Sequence, residues 1–365
     1  KRQAETMELF GIRPEIRFGP DALAALEELA GRRVLIVTDE FLARKSGLLE
    51  GVKERLKSCE ISVFDQVKPD PSLRLVAQGV HALRAFGPDI VLAFGGGSPM
   101  DCAKAMRHFA GGNPPPELWC IPTTAGTGSE VTSFAVLTDA DAGVKYPLVD
   151  DALLPDCAVL DASLLAGVPP AVTADTGMDV LTHAAEGCVA RKATPFSDAM
   201  GEKAFSIAWR SLSHAHAGDN AAKGEMLLAS CLAGISFNAA GLGICHALAH
   251  ALGGRYHIPH GRLNAMLLPH VIAFNSADKG AADKYARLSG LCGLAKNPRA
   301  LIGGVKRLRA GLGMPEKLTA CGVEGQTLLA ELDSIAQAAL ADVCAPGNPR
   351  PATQEDLKAI LKELM

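Results

Sequence analysis

Between Arg33 and Pro122 the chain alternates short apolar runs with stretches of helical period, and this alternation constrains the fold more than any other feature. Arg33 to Asp39 (RVLIVTD), Ile61 to Val63, Ile90 to Phe94 (IVLAF) and Leu118 to Pro122 read as strands, the longer ones buried on both faces. Leu48 to Lys57 and Leu73 to Phe86 lie between them with helical periodicity. Strand and helix in this order predict a parallel sheet covered on both sides. Near Leu165 to Thr173 the character changes, and the rest is Ala- and Leu-rich, broken by Gly and Pro, and reads as helical. A boundary near residue 165 separates an α/β domain, 1–165, from a helical domain, 166–365.

A chain of 365 residues is long enough for two domains with separate cores. With 48% hydrophobic and 21% charged residues it has the balance of a soluble globular protein rather than a disordered one. The net charge of -4 and the dispersed basic residues argue against nucleic acid or an anionic membrane as partner. No apolar run approaches the roughly 20 residues of a membrane span. Lys1 to Glu8 is too short and polar for a secretory leader, and the missing initiator Met leaves a targeting extension open. The ten cysteines are scattered without a Cys-x-x-Cys pair, which fits reduced thiols in a cytoplasmic protein.

Two Gly-rich stretches follow strands. Gly95-Gly96-Gly97-Ser98-Pro99-Met100-Asp101 comes directly after Ile90 to Phe94. Ser98 suits an N-cap, Pro99 a first helical position and Asp101 the first turn, so a helix Pro99 to His108 would aim its N–H groups at an anion such as a pyrophosphate. This is not the G-x-G-x-x-G fingerprint, and alone it also fits an ordinary capped turn. Thr123-Thr124-Ala125-Gly126-Thr127-Gly128-Ser129-Glu130 follows the strand ending at Pro122, at the same carboxyl edge. Asp39, at the end of its strand, suits the adenosine ribose hydroxyls and would repel a 2′-phosphate, favouring NAD over NADP; its alternative role is a turn residue.

The helical half carries a metal-type constellation. Asp179 and His183 stand four apart and share a helix face. Cys245 to Leu263 (CHALAHALGGRYHIPHGRL) holds His246 and His250 on a helical stretch that Gly253-Gly254 should end, with His257 and His260 in the loop beyond. Three imidazoles and one carboxylate suit one divalent first-row ion, iron or zinc, with room for a substrate oxygen. Any one of these histidines alone would read as a hydrogen-bonded core or surface residue.

These blocks together resemble the iron-containing (group III) alcohol dehydrogenases along almost the whole chain. The matching segments are Gly95 to Lys104, Pro122 to Thr132, Thr176 to Cys188, Gly241 to Asn264 and Asn348-Pro349-Arg350. The resemblance implies a Rossmann-like α/β dinucleotide-binding domain and an all-α metal-binding domain, a plan shared with dehydroquinate synthases, with the catalytic cleft between them. It places the metal ligands on Asp179, His183, His246 and His260, with iron first and zinc as the alternative, and a non-ligating histidine of the cleft on His250. It places NAD(H) contacts on Asp39, Gly96, Gly97, Ser98, Asp101, Thr123, Thr124, Thr127 and Lys145. Phe237 and Cys344 fall where the family lines its substrate pocket.

Within the family the chain is most similar to propanol dehydrogenases of propanediol-utilisation microcompartments, on Lys145-Tyr146-Pro147-Leu148 and Ala338 to Pro351. That similarity implies a short-chain aldehyde or alcohol substrate, a homodimer, and a microcompartment shell or aldehyde dehydrogenase as partner. Ethanolamine-utilisation alcohol dehydrogenases are nearly as similar, on Met226 to Ala233. The short link from His108 to Trp119 departs from the family pattern. A dehydroquinate synthase-like lyase is the competing class, and it needs a basic pocket, for which only Arg255 and Arg262 stand near the histidines.

Overall fold

The computed structural model describes residues 10–139 and 144–365, with the side chains of Val144 and Lys145 left out. Strands β1 (Glu15–Phe18), β2 (Arg33–Asp39), β3 (Glu60–Val67), β4 (Ile90–Gly95), β5 (Glu117–Pro122), β6 (Phe134–Asp139), β7 (Val144–Val149) and β8 (Cys157–Leu160) precede the helical half. Helices α1 (Glu40–Arg44), α2 (Leu48–Arg55), α3 (Leu73–Phe86) and α4 (Gly97–Ala110) are threaded between them. Among the described residues, six strands form one parallel sheet in the order β1-β8-β5-β4-β2-β3, and β6 and β7 form an antiparallel hairpin.

The side-chain period of two divides the central strands between two cores. Val34, Ile36, Ile90, Leu92 and Phe94 join the larger core shared with the helical half. Leu35, Val37, Val91 and Ala93 face the smaller one beneath α3 and α4. Both faces are therefore dry, as a continuous apolar run requires. The chain runs from β2 outward to β3 and then returns to β4 on the other side of β2. This reversal opens a crevice at the carboxyl ends of β2 and β4, where α/β sheets take ligands.

After β8 and a short 3-10 turn (Ala162–Leu165), the chain is helical. Its helices are α5 (Pro170–Val189), α6 (Pro195–His216), α7 (Asn220–Ala240), α8 (Ile244–Tyr256), α9 (His260–Asn275), α10 (Lys279–Leu291), α11 (Pro298–Gly311), α12 (Gly325–Ala341) and α13 (Gln354–Lys362). The core helix is α5, packed against α6, α7 and α9 and buried from Gly177 to Val189. A helix buried all round normally lacks charge, so Asp179, His183 and Glu186 within it need partners.

Two local expectations are corrected. Helix α4 begins at Gly97 with Gly96 as N-cap, so Ser98 and Pro99 lie inside its first turn and Asp101 beyond it. Gly95 adopts φ +150°, which lets the chain turn two residues earlier than a side-chain cap would. Helix α8 also runs through Gly253 and Gly254 to Tyr256 and ends at His257 in the left-handed region, while His260 opens α9 instead of lying in a loop. Burial of Leu248 and Leu252 outweighs the roughly 1 kcal/mol that each glycine costs a helix. All ten cysteines are free. Among the described residues, no single helix is long and apolar enough to cross a membrane.

Candidate active site

The two Gly-rich loops form one cradle. A Cβ on Gly96 would stand 3.2 Å from Thr124 Oγ1, and one on Gly97 would stand 3.0 Å from Thr127 Cγ2. A side chain at either position would press on the threonine loop, and the Gly97 and Ser98 N–H groups at the helix end lack intrahelical partners. Thr123 N–H donates to the Gly95 carbonyl at 3.0 Å. Asp101 ties α4 to the threonine loop and to the hairpin. Its carboxylate accepts from Ser129 Oγ at 2.9 Å and from the Val136 amide at 3.0 Å. Lys104, fully buried, donates to Ser129 Oγ at 2.9 Å and to the carbonyls of Thr132 and Phe134, both at 2.8 Å. Burial pushes its ammonium down, and the Asp101 charge opposes that shift.

Asp39, half-buried at the end of β2, caps α1 by accepting the Leu42 amide at 2.9 Å. It stands at the end of β2 beside the reversal crevice, and the contact the structure shows for it is the cap of α1. The backbone of Lys145 pairs with Thr138 in the β6–β7 hairpin, while its side chain lies outside the described residues.

The threonine loop also docks on the helical half. Gly126 packs on Thr176 of α5, and Gly128 packs on Gly234 of α7, where a Cβ would fall 2.8 Å from the Gly234 Cα. The cradle therefore docks on α5, the helix that carries Asp179 and His183. Asp179 Oδ1 stands 3.7 Å from His246 Nε2 and 3.6 Å from His260 Nε2. One ligand atom from each of the three lies within 4.8 Å of the others. His183 does not join that group. Its ring stacks at 4.5 Å on both Phe237 and His246, and its buried Nδ1 finds no partner among the described residues.

Burial lowers His183 and drives His246 and His260 well below the usual imidazole range, so all three are neutral at pH 7. Burial works to raise Asp179, but the imidazoles and the Asn264 amide outweigh it and hold the carboxyl low. Neutral imidazoles beside an ionised carboxylate are the protonation state that binds a metal without first releasing protons.

Three further residues complete the centre and were not singled out in the sequence. Glu186, one turn beyond His183 on the same face of α5, holds His246 Nδ1 at 2.6 Å. Burial pushes the Glu186 carboxyl up to about 7 against the pull of three backbone N–H groups. Asn264, one turn after His260, aims its amide nitrogen at Asp179 Oδ1 (2.7 Å), His260 Nε2 (3.1 Å) and His246 Nε2 (3.3 Å). An amide N–H can only donate, so three acceptor atoms converge on one point, as a cation would require. This donor set of Asp179, His246 and His260 fits one divalent ion, and His183 stacks on it through the His246 ring.

Asp342 holds His250 Nδ1 at 2.9 Å, and the His250 ring stacks on His260 at 5.0 Å. Burial acts to raise Asp342, but the His250 bond and charge and the Cys344 amide hold its carboxyl at about 2. Cys344 is buried beside this pair, and Phe237 packs on His183 from the other side, so both border the histidines. Arg262 makes two bonds to Asp175, at 3.1 and 2.9 Å, and Arg255 pairs with Glu331 and Ser334. Both arginines named for an acidic-substrate pocket are thus committed to neighbouring helices.

Residues 14–162 match the family described as iron-containing alcohol dehydrogenase, and 173–365 match the C-terminal part of the Fe-containing alcohol dehydrogenase family. The chain is 43% identical over 371 residues to the 1-propanol dehydrogenase PduQ of Citrobacter freundii, covering 98% of this chain and 100% of that protein. Its fold superposes on the iron-containing alcohol dehydrogenase of Thermococcus thioreducens with a TM-score of 0.91 at 32% identity, covering 97% of this chain and 98% of that one. It also superposes on the sulfoacetaldehyde reductase of Bifidobacterium kashiwanohense in complex with NAD+, with a TM-score of 0.88 at 27% identity and coverage of 98% and 99%. With its sheet, paired loops and buried histidine centre, the chain belongs to the iron-containing alcohol dehydrogenase family.

Proposed function

We propose that the enzyme interconverts a short-chain aldehyde and its alcohol, propionaldehyde and 1-propanol foremost, using NAD(H) and one divalent ion, iron before zinc. The observation that carries this reading is the convergence of Asp179, His246 and His260, with Asp179 on the helix against which the threonine loop packs. A bound ion would supply Lewis-acid character to the substrate oxygen, and a bound nicotinamide would supply the hydride donor or acceptor.

The remaining work falls to the chain. Asp179, His183, His246 and His260 would hold the ion. Gly96, Gly97, Ser98, Thr123, Thr124 and Thr127 would hold the dinucleotide phosphates, with Asp39 at the adenosine end. His250 gives its Nδ1–H to Asp342, which leaves Nε2 as the atom that takes up or returns the substrate proton. Phe237 and Cys344 exclude water beside the reacting carbon. Aldehyde reduction is the working direction, since it regenerates NAD for an aldehyde dehydrogenase partner. A homodimer that serves a propanediol-utilisation microcompartment, with its shell or an aldehyde dehydrogenase as partner, belongs to the same proposal.

The test is NADH oxidation with propionaldehyde on protein purified without oxygen, before and after chelation and with iron or zinc restored. Turnover that disappears with the ion and returns with iron supports the reading. Bound ion and NADH without turnover of any short aldehyde would overturn it.

A further inference from the structure

Helix α8 carries His246 and His250, yet its own sequence supplies no cap. Its N-cap is Gly243, in extended backbone, and no local side chain reaches the first N–H groups. Two buried side chains from elsewhere do. Asn348 Oδ1 accepts the Ile244 amide at 3.3 Å. Glu186, projecting from α5, accepts the amides of Cys245 at 2.8 Å and His246 at 3.3 Å. A Cβ at position 243 would fall 2.6 Å from Asn348 Oδ1 and 2.8 Å from Glu186 Oε1, so only glycine admits both caps.

The carboxylate that closes the helix also holds His246 Nδ1 at 2.6 Å. As an acceptor it requires the imidazole proton on Nδ1, which leaves the Nε2 lone pair facing Asp179 and His260. Asn264 reports the same tautomer from the opposite side, because its amide can only donate toward His246 Nε2.

We propose that Glu186 is a positioning residue for the metal centre: it caps α8 and fixes the tautomer of His246, and through both contacts sets how tightly the ion is held. This rests on the ligand set proposed above. Glu186 is buried behind the imidazole and acts only through it and the helix end.

The test is zinc affinity by chelator competition in Glu186→Gln, Glu186→Asp and Asp179→Ala, with NADH binding followed in parallel. Glutamine keeps the volume of glutamate but has one acceptor oxygen. Its amide faces either His246 Nδ1, moving the ring proton to Nε2, or the helix N–H groups, leaving them unmet. Zinc affinity is expected to fall roughly 10- to 100-fold in Glu186→Gln, with NADH binding unchanged and partial recovery in Glu186→Asp. Nitrogen-15 histidine spectra of the wild type should show His246 protonated on Nδ1, and this readout stands if the glutamine variant does not fold. Unchanged zinc affinity in Glu186→Gln, or a wild-type proton on Nε2, overturns the role of Glu186. If Asp179→Ala also leaves zinc binding unchanged, the ligand set itself fails.

Discussion

The side-chain amide of Asn264 donates to Asp179 Oδ1 at 2.7 Å from a point where it also meets the Nε2 atoms of His246 and His260. A donor there meets three acceptors, of which its two hydrogens satisfy two, whereas a cation would satisfy all three. Asn264→Asp replaces it with a carboxylate beside Asp179 in the same dry space. The metal-free variant should lose at least about 2 kcal/mol from buried like charges and lost donors. Saturating zinc should recover most of that loss, because the added charge also attracts the ion. Thermal unfolding with and without zinc checks this, and equal losses in both would contradict it.

The parts of this fold legible in the sequence are those set by local pattern. Strand β2 and helix α3 occupy the spans that apolar runs and periodicity mark, Arg33 to Asp39 and Leu73 to Phe86. The start of α4 was not legible because it depends on how closely Gly96 and Gly97 approach the threonine loop, and the end of α8 because it depends on the burial of Leu248 and Leu252. The site divides in the same way. Histidines at i, i+4 spacing stand out in any sequence, whereas Glu186 and Asn264 act on residues 60 and 85 positions away. A glutamate one turn beyond His183 was the available signal for the first, and an asparagine one turn after His260 for the second. Asp342 lies 92 residues from His250 and carries no local mark at all.

Gly261 fixes the approach of α9 to α5. A Cβ there would collide with the backbone carbonyl of Asp175 and stand 3.2 Å from the Asp179 Cβ. Alanine normally stabilises a helix relative to glycine, but here it must push His260 away from Asp179. Gly261→Ala should therefore cost about 1–3 kcal/mol or more and weaken ion binding. Gly254→Ala, with nothing near its would-be Cβ, should stabilise by about 0.5–1 kcal/mol. Urea denaturation of the pair checks the opposite signs, and a stabilising Gly261→Ala would refute the close-approach argument.

The cap that Asp39 forms on α1 can be separated by substitution from the role proposed for it at the adenosine end. Asparagine caps helices as well as aspartate does, so Asp39→Asn keeps α1 closed while removing the charge at the β2 crevice. Relief of repulsion toward a 2′-phosphate should be worth about 1–2 kcal/mol in a partly solvated cleft. The ratio of kcat/KM for NADPH over NADH is then expected to rise roughly tenfold, with thermal stability unchanged. A cofactor ratio that does not move would leave Asp39 with the capping role alone.

Glu130 provides a pH test at the threonine loop. Its side chain is buried, and Oε1 finds no hydrogen-bond partner among the described residues. Burial raises its carboxyl from an ordinary 4.5 to about 7, with Lys104 opposing the shift. The sign follows from linkage: the folded chain keeps this proton where the unfolded chain has lost it. Folding is therefore favoured below about 4.5 and loses that contribution as pH rises through about 7. The shift corresponds to about 3 kcal/mol. Glu130→Gln removes the titration, so its stability relative to the wild type should improve by about that amount between about pH 5 and pH 8. Urea midpoints across this range measure the gap. Parallel curves for the two proteins would mean that the buried carboxyl ionises as freely in the folded chain as in the unfolded one.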